Sequence, residues 1–298
     1  MKTKTFENLG KKIFYYVWDD VEKPRGVVQI VHGMVEYAGR YQKVAEYFNK
    51  EGYVVVADDH RGHGKTDEDN LGYCAGSMFF DTISDLKTLM DITKKSYENL
   101  PYVLFGFSYG SFLAQYFISQ YGGDLDGVII GGSNKNPKFL TLFGQFVSYL
   151  GKGFKGEKAP GRLVEKLTFG AYNSKFEDGC FLSTNKENNA KYAKDKFCQY
   201  TCSYNFYHSF FKGLNSLYSR KYKKALVKGL PMLIVSGSLD PVGDMGKGTT
   251  KLYLYNKKVG CENVRLVLYP ESRHEFLNED INRCGDLVRW IEDNIIDK

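Results

Sequence analysis

The sequence contains no apolar stretch close to the roughly 18 residues that a membrane-spanning helix needs. Its N-terminus, Met1 to Glu7, is polar and strand-like, with neither the apolar core nor the small-residue cleavage site of a secretory signal. We therefore expect no transmembrane anchor, and we expect the protein to be cytoplasmic.

Cysteine is too sparse for a disulfide-stapled fold, with six residues scattered over 298. A chain of this length can bury a large core without cross-links, so reduced thiols are expected. Cys198 and Cys202 are the only close pair, their spacing fits neither a zinc site nor a redox C-x-x-C motif, and only His208 lies nearby. No metal site is predicted.

The net charge of +6 conceals an uneven distribution. Residues 134–230 carry 18 lysines and arginines against 6 acidic residues, a net of +12, which leaves 23 against 29 in the rest of the chain. The middle third is therefore a different kind of surface. No nucleic-acid recognition motif accompanies this charge, so we predict no nucleic-acid partner.

Strand-like and helix-like stretches alternate outside the middle third. This alternation predicts an α/β fold, with a mostly parallel sheet covered by helices on both faces. The predicted strands are 11–18, 26–31, 53–57, 102–105, 127–131, 231–236 and 264–269, and the predicted helices are 40–50, 79–98, 109–121, 247–257 and 280–296. Residues 1–133 and 231–298 are thus predicted to form the core, and 134–230, which lack a comparable β-branched strand, an inserted, mainly helical cap.

The segment Gly106-Phe107-Ser108-Tyr109-Gly110 matches G-x-S-x-G. The bare motif is a weak signal, but an apolar strand enters it and an apolar helix leaves it, as a nucleophile elbow requires. The glycines matter because the turn is strained and leaves no room for side chains beside the serine. We predict Ser108 as the nucleophile; the alternative is a serine in an ordinary surface turn.

A serine nucleophile needs a histidine base that a carboxylate orients. Asp240 follows the strand 231–236 and His274 follows the strand 264–269, in the chain order expected for this fold. Three strand ends would thus contribute one residue each at the carboxyl edge of the sheet. The competing residues are Asp244, which lies farther from its strand, and the histidines His60, His63 and His208.

His60 and His63 precede Ser108, which is the wrong order, so we expect them to brace a loop; His208 has no strand to position it. The oxyanion of an acyl-transfer reaction is predicted to bind two backbone N–H groups, those of Tyr109 and Met34.

Several segments resemble the monoacylglycerol lipase and lysophospholipase-like group of α/β hydrolases, often labelled "serine aminopeptidase S33". His32-Gly33-Met34-Val35-Glu36-Tyr37 with Gly39-Arg40-Tyr41 looks like its H-G-x-x-E-x-x-x-R-Y signature, and residues 59–64 look like its D-x-x-G-H-G loop. The segments 240–243 and 273–279 resemble its acid and R-H-E-x-x-N-E segments. The departures are Phe107, Ser111 and Glu271-Ser272, which alter the rim of the site and leave the three predicted catalytic residues in place.

The predicted cap has an apolar helical stripe flanked by Lys135, Lys138 and Lys152. One interpretation is that the stripe packs onto the core; the other is that part of it binds an acyl chain or touches lipid, with Phe139, Phe143 and Phe146 as candidate substrate-binding residues. The basic cap could also draw the protein to anionic membrane surfaces or phosphate-bearing substrates, or simply keep it soluble. The stripe consists of Phe139, Leu142, Phe143, Phe146, Val147 and Leu150.

The resemblance implies hydrolysis of carboxylic esters with a medium or long acyl chain, of the monoacylglycerol or lysophospholipid type, through an acyl-serine intermediate and without a cofactor. The alternatives are an amide or peptide hydrolase, a short-chain carboxylesterase, and a non-catalytic ligand-binding module. The last would be expected to have lost part of the triad. The sequence does not indicate the head group, the acyl length or the oligomeric state.

Overall fold

The computed structural model describes residues 1–297. Its centre is an eight-stranded sheet in the order β1-β2-β4-β3-β5-β6-β7-β8, antiparallel at β1–β2 and β2–β4 and parallel elsewhere. The strands are β1 Lys2–Asn8, β2 Lys11–Trp18, β3 Gly26–Val31, β4 Tyr53–Asp58, β5 Tyr102–Phe107, β6 Gly127–Gly131, β7 Met232–Gly237 and β8 Val264–Tyr269.

Helices cover both faces of the sheet. The α-helices are α1 Gln42–Lys50, α2 Met78–Ser96, α3 Tyr109–Tyr121, α4 Lys138–Lys155, α5 Arg162–Glu165, α6 Ala171–Asn173, α7 Lys186–Lys194, α8 Tyr204–Ser216, α9 Arg220–Ala225, α10 Lys247–Lys258, α11 Phe276–Glu279 and α12 Cys284–Ile291. One hydrophobic cluster joins α1 and α12 to the sheet, and a second joins α2, α3 and α10 to its other face. The predicted α/β-hydrolase fold class is confirmed.

The central strands explain why the sheet folds this way. β3, β4, β5, β6 and β7 are buried along their whole length, as expected of β-branched parallel strands with helices on both sides. Because neighbouring parallel strands end at the same edge, the loops after β3, β5, β7 and β8 meet there.

The two ends of the chain are more detailed in the structure than in the predicted elements. The polar segment Lys2–Asn8 is a full antiparallel edge strand paired with β2. The predicted closing helix 280–296 is divided into a short turn at Ile281–Arg283, the helix α12 and a wider turn at Glu292–Ile296.

The insertion, residues 134–230, lies between β6 and β7 and is helical, with one isolated bridge between Pro160 and Ser203. Its helix α8 attaches it to the core, since Asn205 donates to the Cys74 carbonyl (2.9 Å) and Ser209 accepts from the Phe79 N–H (2.9 Å). Side chains of α8 belong to the same hydrophobic cluster as α2 and α3. Among helices of the described residues 1–297, none combines the length and apolarity needed to cross a bilayer.

Most of the apolar stripe of helix α4 does not pack onto the core, contrary to one of the two interpretations of the sequence. It packs against α8 through small residues: Thr141 and Ser148 are buried, and a side chain added at Gly144 or Gly151 would overlap the rings of Phe211 or Tyr204. Most of the large residues of α4 therefore remain exposed. The exposed large residues of this helix are Phe139, Leu140, Leu142, Phe143, Phe146, Tyr149, Leu150 and Phe154, at 38–85% of their full surface.

Candidate active site

Ser108 stands at the turn between β5 and α3, with a backbone φ of +52°. Its N–H donates to the Gly131 carbonyl (2.9 Å), and its own carbonyl accepts from the N–H of Ser111 (2.8 Å). A positive φ is rare for a residue with a side chain and persists only where neighbouring contacts enforce it. The turn thus presents the hydroxyl at the carboxyl edge of the sheet.

The two glycines of the motif make this turn possible. A Cβ on Gly110 would lie 1.9 Å from the Val31 carbonyl oxygen, and one on Gly106 would lie 2.4 Å from the Gly110 carbonyl oxygen. Both contacts are with backbone that cannot move aside easily. A side chain at Gly110 would push α3 away from β3, and one at Gly106 would push α3 away from β5. Both spacings of the G-x-S-x-G motif therefore have a steric reason.

Asp240 and His274 lie in the loops after β7 and β8, and both are buried. The Asp240 carboxylate accepts from His274 Nδ1 (2.9 Å), the Ser236 hydroxyl (2.9 Å) and the Val242 N–H (2.8 Å). Burial disfavours protonated His274, but the charge and hydrogen bond of Asp240 outweigh burial and raise the pKa of His274 above its ordinary value. Asp240 thus fixes both the orientation and the basicity of the ring.

The competing residues lie elsewhere. Asp244 is exposed, whereas His60 and His63 are fully buried. His60 Nδ1 lies 2.9 Å from an Asp58 carboxylate oxygen, and the backbone N–H of His60 donates to His32 Nε2 (3.0 Å). Burial lowers the pKa of His60 to about 3. These contacts hold the loop after β4 against the loop after β3.

The two predicted oxyanion donors border the same cavity as Ser108. Met34 follows Gly33 in the loop after β3, and Tyr109 is the first residue of α3. The loop continues into Val35, whose φ of +57° is unusual for a β-branched residue.

A buried ion network lies behind this loop. Arg40 donates to Glu36 (2.6 Å) and makes a two-pronged contact with Glu275 (2.8 and 3.1 Å). Glu36 also accepts from the Gly33 N–H (2.5 Å). The network therefore connects the residue before Met34 with the residue after His274. Sequence reasoning noted these residues in motifs but assigned them no role; the pairing of opposite charges within the motifs was the available signal.

Two cavities meet at Ser108. The larger, of about 400 Å³, extends under α4 and is mainly apolar. The smaller, of about 190 Å³, also borders His274 and has polar groups in its wall, among them Arg40, Asn173, Tyr192 and Glu275. The apolar wall of the larger cavity includes Phe112, Leu140, Phe143, Val147, Val164, Leu167, Phe169, Phe210, Phe211 and Leu214.

The three phenylalanines predicted to bind substrate separate in the structure. Phe143 lines the larger cavity, but Phe139 and Phe146 are not among its lining residues and are 70% and 57% exposed. This corrects their placement: the small-residue seam of α4 against α8 directs them to the outer surface. Leu140 and Val147 line the cavity in their place.

Comparisons with known proteins agree with this geometry. The family model "Serine aminopeptidase, S33" matches residues 22–281. The chain is 28% identical over 286 residues to a monoacylglycerol lipase of Mycolicibacterium smegmatis, covering 95% of this chain and 93% of the relative. It is 25% identical over 268 residues to the monoglyceride lipase of Homo sapiens, covering 89% and 80%.

Solved structures of an esterase and a lipase are similar to this chain over its whole length. A highly thermostable carboxyl esterase from Bacillus coagulans, in complex with glycerol, superposes with a TM-score of 0.88 at 28% identity, covering 99% of both chains. A lipase in an open form superposes with a TM-score of 0.88 at 27% identity, covering 100% of both chains.

Proposed function

Because the chain belongs to the serine aminopeptidase S33 family of α/β hydrolases, we propose that it hydrolyses carboxylic esters with a medium or long acyl chain, monoacylglycerols foremost. The observation that carries this proposal is the position of Ser108 between an apolar cavity of about 400 Å³ and a smaller, more polar one beside His274. An amphiphilic ester has the same two-sided character, with a hydrocarbon chain on one side of the reacting carbonyl and a hydroxylated alcohol on the other.

Ser108, His274 and Asp240 carry the proposed reaction. Since Nδ1 of His274 donates to Asp240, Nε2 is left as the base that takes the Ser108 proton while Oγ attacks the ester carbonyl. The same nitrogen then protonates the leaving alcohol, and the acyl-Ser108 ester remains. Water then gives a proton to Nε2 as its oxygen attacks the acyl carbon. The bond from that carbon to Ser108 Oγ breaks, Nε2 returns the proton to Oγ, and the carboxylic acid leaves.

The backbone N–H groups of Met34 and Tyr109 stabilise the oxyanion in both steps. The acyl chain occupies the larger cavity and the alcohol leaves through the smaller one. The insertion acts as a cap, because α4, α5 and α8 contribute most of the apolar wall.

The alternatives are an amide or peptide hydrolase and a short-chain carboxylesterase. A long apolar cavity would serve neither an aminopeptidase nor an ester with a two- or three-carbon acyl group. Lysophospholipids share the acyl chain of monoacylglycerols and differ in the head group, so they belong in the same substrate panel.

The test is a panel of monoacylglycerols, lysophospholipids, short p-nitrophenyl esters and aminoacyl arylamides, assayed with wild type, Ser108→Ala and Ser119→Ala. Ser119 is a buried serine on the same helix whose hydroxyl donates to the Tyr116 carbonyl (2.7 Å), so it serves as the matched control. We expect long-chain ester turnover that only Ser108→Ala abolishes. Arylamide turnover without ester turnover would overturn the substrate class, and near-normal activity of Ser108→Ala would overturn the mechanism.

We also propose that the outer face of α4 touches anionic membrane surfaces. Its exposed phenylalanines and leucines belong to an insertion with a net charge of +12, a combination suited to the membrane interface. Phe139→Ala should weaken binding to vesicles. Phe143→Ala should in addition shift the preferred acyl length, because of these two phenylalanines only Phe143 lines the cavity. Equal binding to neutral and anionic vesicles at low salt would contradict the electrostatic part.

We retain the proposal of a cytoplasmic location. Its support is that all six cysteines are free thiols, five of them buried, as suits a reducing compartment. Cell fractionation of a tagged full-length chain tests it, and recovery from an oxidising compartment would refute it.

A further inference from the structure

One segment of the insertion, residues 178–195, is hydrogen-bonded to the loops that carry Met34 and His274. We call it the clasp segment. Unlike α4, which is supported by α8, it lies directly over the two loops. Four of its hydrogen bonds are with residues at or next to the proposed catalytic groups.

On the oxyanion side, the Tyr192 hydroxyl donates to the Val35 carbonyl (2.9 Å). Val35 immediately follows Met34 and holds a positive φ of +57°. Such a conformation is strained for a β-branched residue and needs support from its surroundings. Tyr192 supplies that support from the insertion, while Glu36 holds the Gly33 N–H on the other side of Met34 (2.5 Å).

On the histidine side, the clasp segment accepts two backbone hydrogen bonds. The His274 N–H donates to the Phe181 carbonyl (3.3 Å), and the Glu275 N–H donates to the Leu182 carbonyl (2.7 Å). The Asn188 amide also donates to the Glu275 carboxylate (2.6 Å). The insertion therefore holds the two peptide groups on either side of the His274 Cα atom.

The two sides form one connected network. The Glu275 carboxylate accepts hydrogen bonds from Asn188 and from Arg40, and Arg40 also donates to Glu36. Buried, fully partnered polar networks rigidify their surroundings because each member depends on the others. A displacement of the clasp segment would loosen both catalytic loops together.

We propose that the clasp segment is a positioning element for the reaction, with Tyr192 and Asn188 as positioning residues that hold the oxyanion loop and the His274 loop in register. The inference rests on the proposed ester hydrolysis. It divides the insertion into two parts: the α4 part forms the roof of the acyl cavity, and the clasp segment maintains the geometry of the reacting groups. Any movement of the insertion that admits substrate would then belong to the α4 part, because movement of the clasp segment would dismantle the site.

A short soluble ester separates positioning from substrate containment. p-Nitrophenyl acetate does not need the acyl cavity, and Asn188 lies outside the residues that line either cavity. We expect Tyr192→Phe and Asn188→Ala each to lower kcat roughly tenfold, since the loss of one hydrogen bond at these positions amounts to about one power of ten. KM should stay within about twofold, because a loss confined to the transition state lowers kcat alone.

The control is Tyr149→Phe, the same change on an exposed tyrosine of α4, which should leave kcat unchanged. Thermal unfolding of each variant checks that the assayed protein is folded. Unchanged kcat in both clasp variants would overturn the inference, and so would a loss expressed wholly in KM.

A small alkyl fluorophosphonate gives a readout that does not depend on the substrate. Ser108 Oγ attacks phosphorus, fluoride leaves, the serine proton passes to His274, and the oxyanion loop receives the phosphoryl oxygen. Labelling of both clasp variants should slow by a similar factor. If wild type is labelled but hydrolyses no ester, the proposed function fails while the labelling rates still decide the inference; equal rates for wild type and both variants would sink it.

Discussion

Arg40 allows the most direct test of how the site is held together. Its side chain is 10% exposed, and it stands between the carboxylates of Glu36 and Glu275, which are 5% and 4% exposed. Arg40→Met keeps much of the side-chain bulk and removes the charge and its three hydrogen bonds. Because two buried carboxylates then lose their partner, we expect the free energy of unfolding to fall by about 3–5 kcal/mol at neutral pH.

The loss should depend on pH. Burial alone would raise the pKa of Glu275, but the charge and hydrogen bonds of Arg40 outweigh burial and hold that pKa at about 2. A folded-state pKa below the unfolded one adds stability that is complete above about pH 5 and is lost as the pH falls towards about 2.

Without Arg40, burial raises the pKa of Glu275 above its unfolded value. The free energy of unfolding of the variant then declines as the pH rises, over a range in which that of wild type is maintained. The difference between the two proteins should therefore grow from about pH 4 to about pH 7.

Urea unfolding followed by circular dichroism at several pH values measures this difference. Arg25→Met is the matched control, because Arg25 pairs with Glu292 at the surface, where the side chains are 43% and 29% exposed. Surface pairs contribute about 0–1 kcal/mol. The reasoning is refuted if Arg40→Met and Arg25→Met cost the same at neutral pH, or if the loss in Arg40→Met does not change with pH.

Two further predictions concern the base and the α4 seam. The acid limb of the kcat/KM profile should have its midpoint above pH 6.5, since Asp240 raises the pKa of His274. Asp240→Asn should move that midpoint to lower pH and reduce kcat by roughly 10⁴, and an unmoved midpoint would contradict the role of Asp240. Gly144→Ala should lower the melting temperature, because its Cβ would lie 2.4 Å from the Phe211 ring. Gly153 lies on the same helix, and a Cβ there would have no neighbour within 4 Å, so Gly153→Ala should raise the free energy of unfolding by about 0.5–1 kcal/mol. Equal shifts in melting temperature for the two variants would contradict the packing of α4 through its small residues.

The fold and the three proposed catalytic residues were accessible to sequence reasoning for a common physical reason. Parallel strands buried on both faces have a strong β-branched pattern, and their carboxyl ends meet at one edge. Ser108 and Asp240 follow two such strands, and His274 follows β8, a less buried strand at the edge of the same sheet, so the three residues could be placed together from the sequence. The same logic placed Met34 beside them.

Other features depend on contacts that no local pattern encodes. Arg40 and Glu275 are 235 positions apart, and their pairing follows from the assembled sheet. The sequence left two interpretations of α4 open because periodicity locates apolar residues, whereas its packing face is made of glycine, serine and threonine, which give little hydrophobic signal. The clasp segment is polar, and its helix α7 has no apolar stripe, so neither periodicity nor composition singled out Asn188 or Tyr192.

The small-residue seam of α4 has an evolutionary consequence. The residues that dock this helix, among them Gly144 and Ser148, are separate from the large residues on its outer face. Selection can therefore exchange the outer residues, and so adapt the protein to a different lipid surface, while the docking of the helix and the elbow beneath it stay under independent constraint. Related enzymes should diverge fastest on the outer face and slowest along the seam.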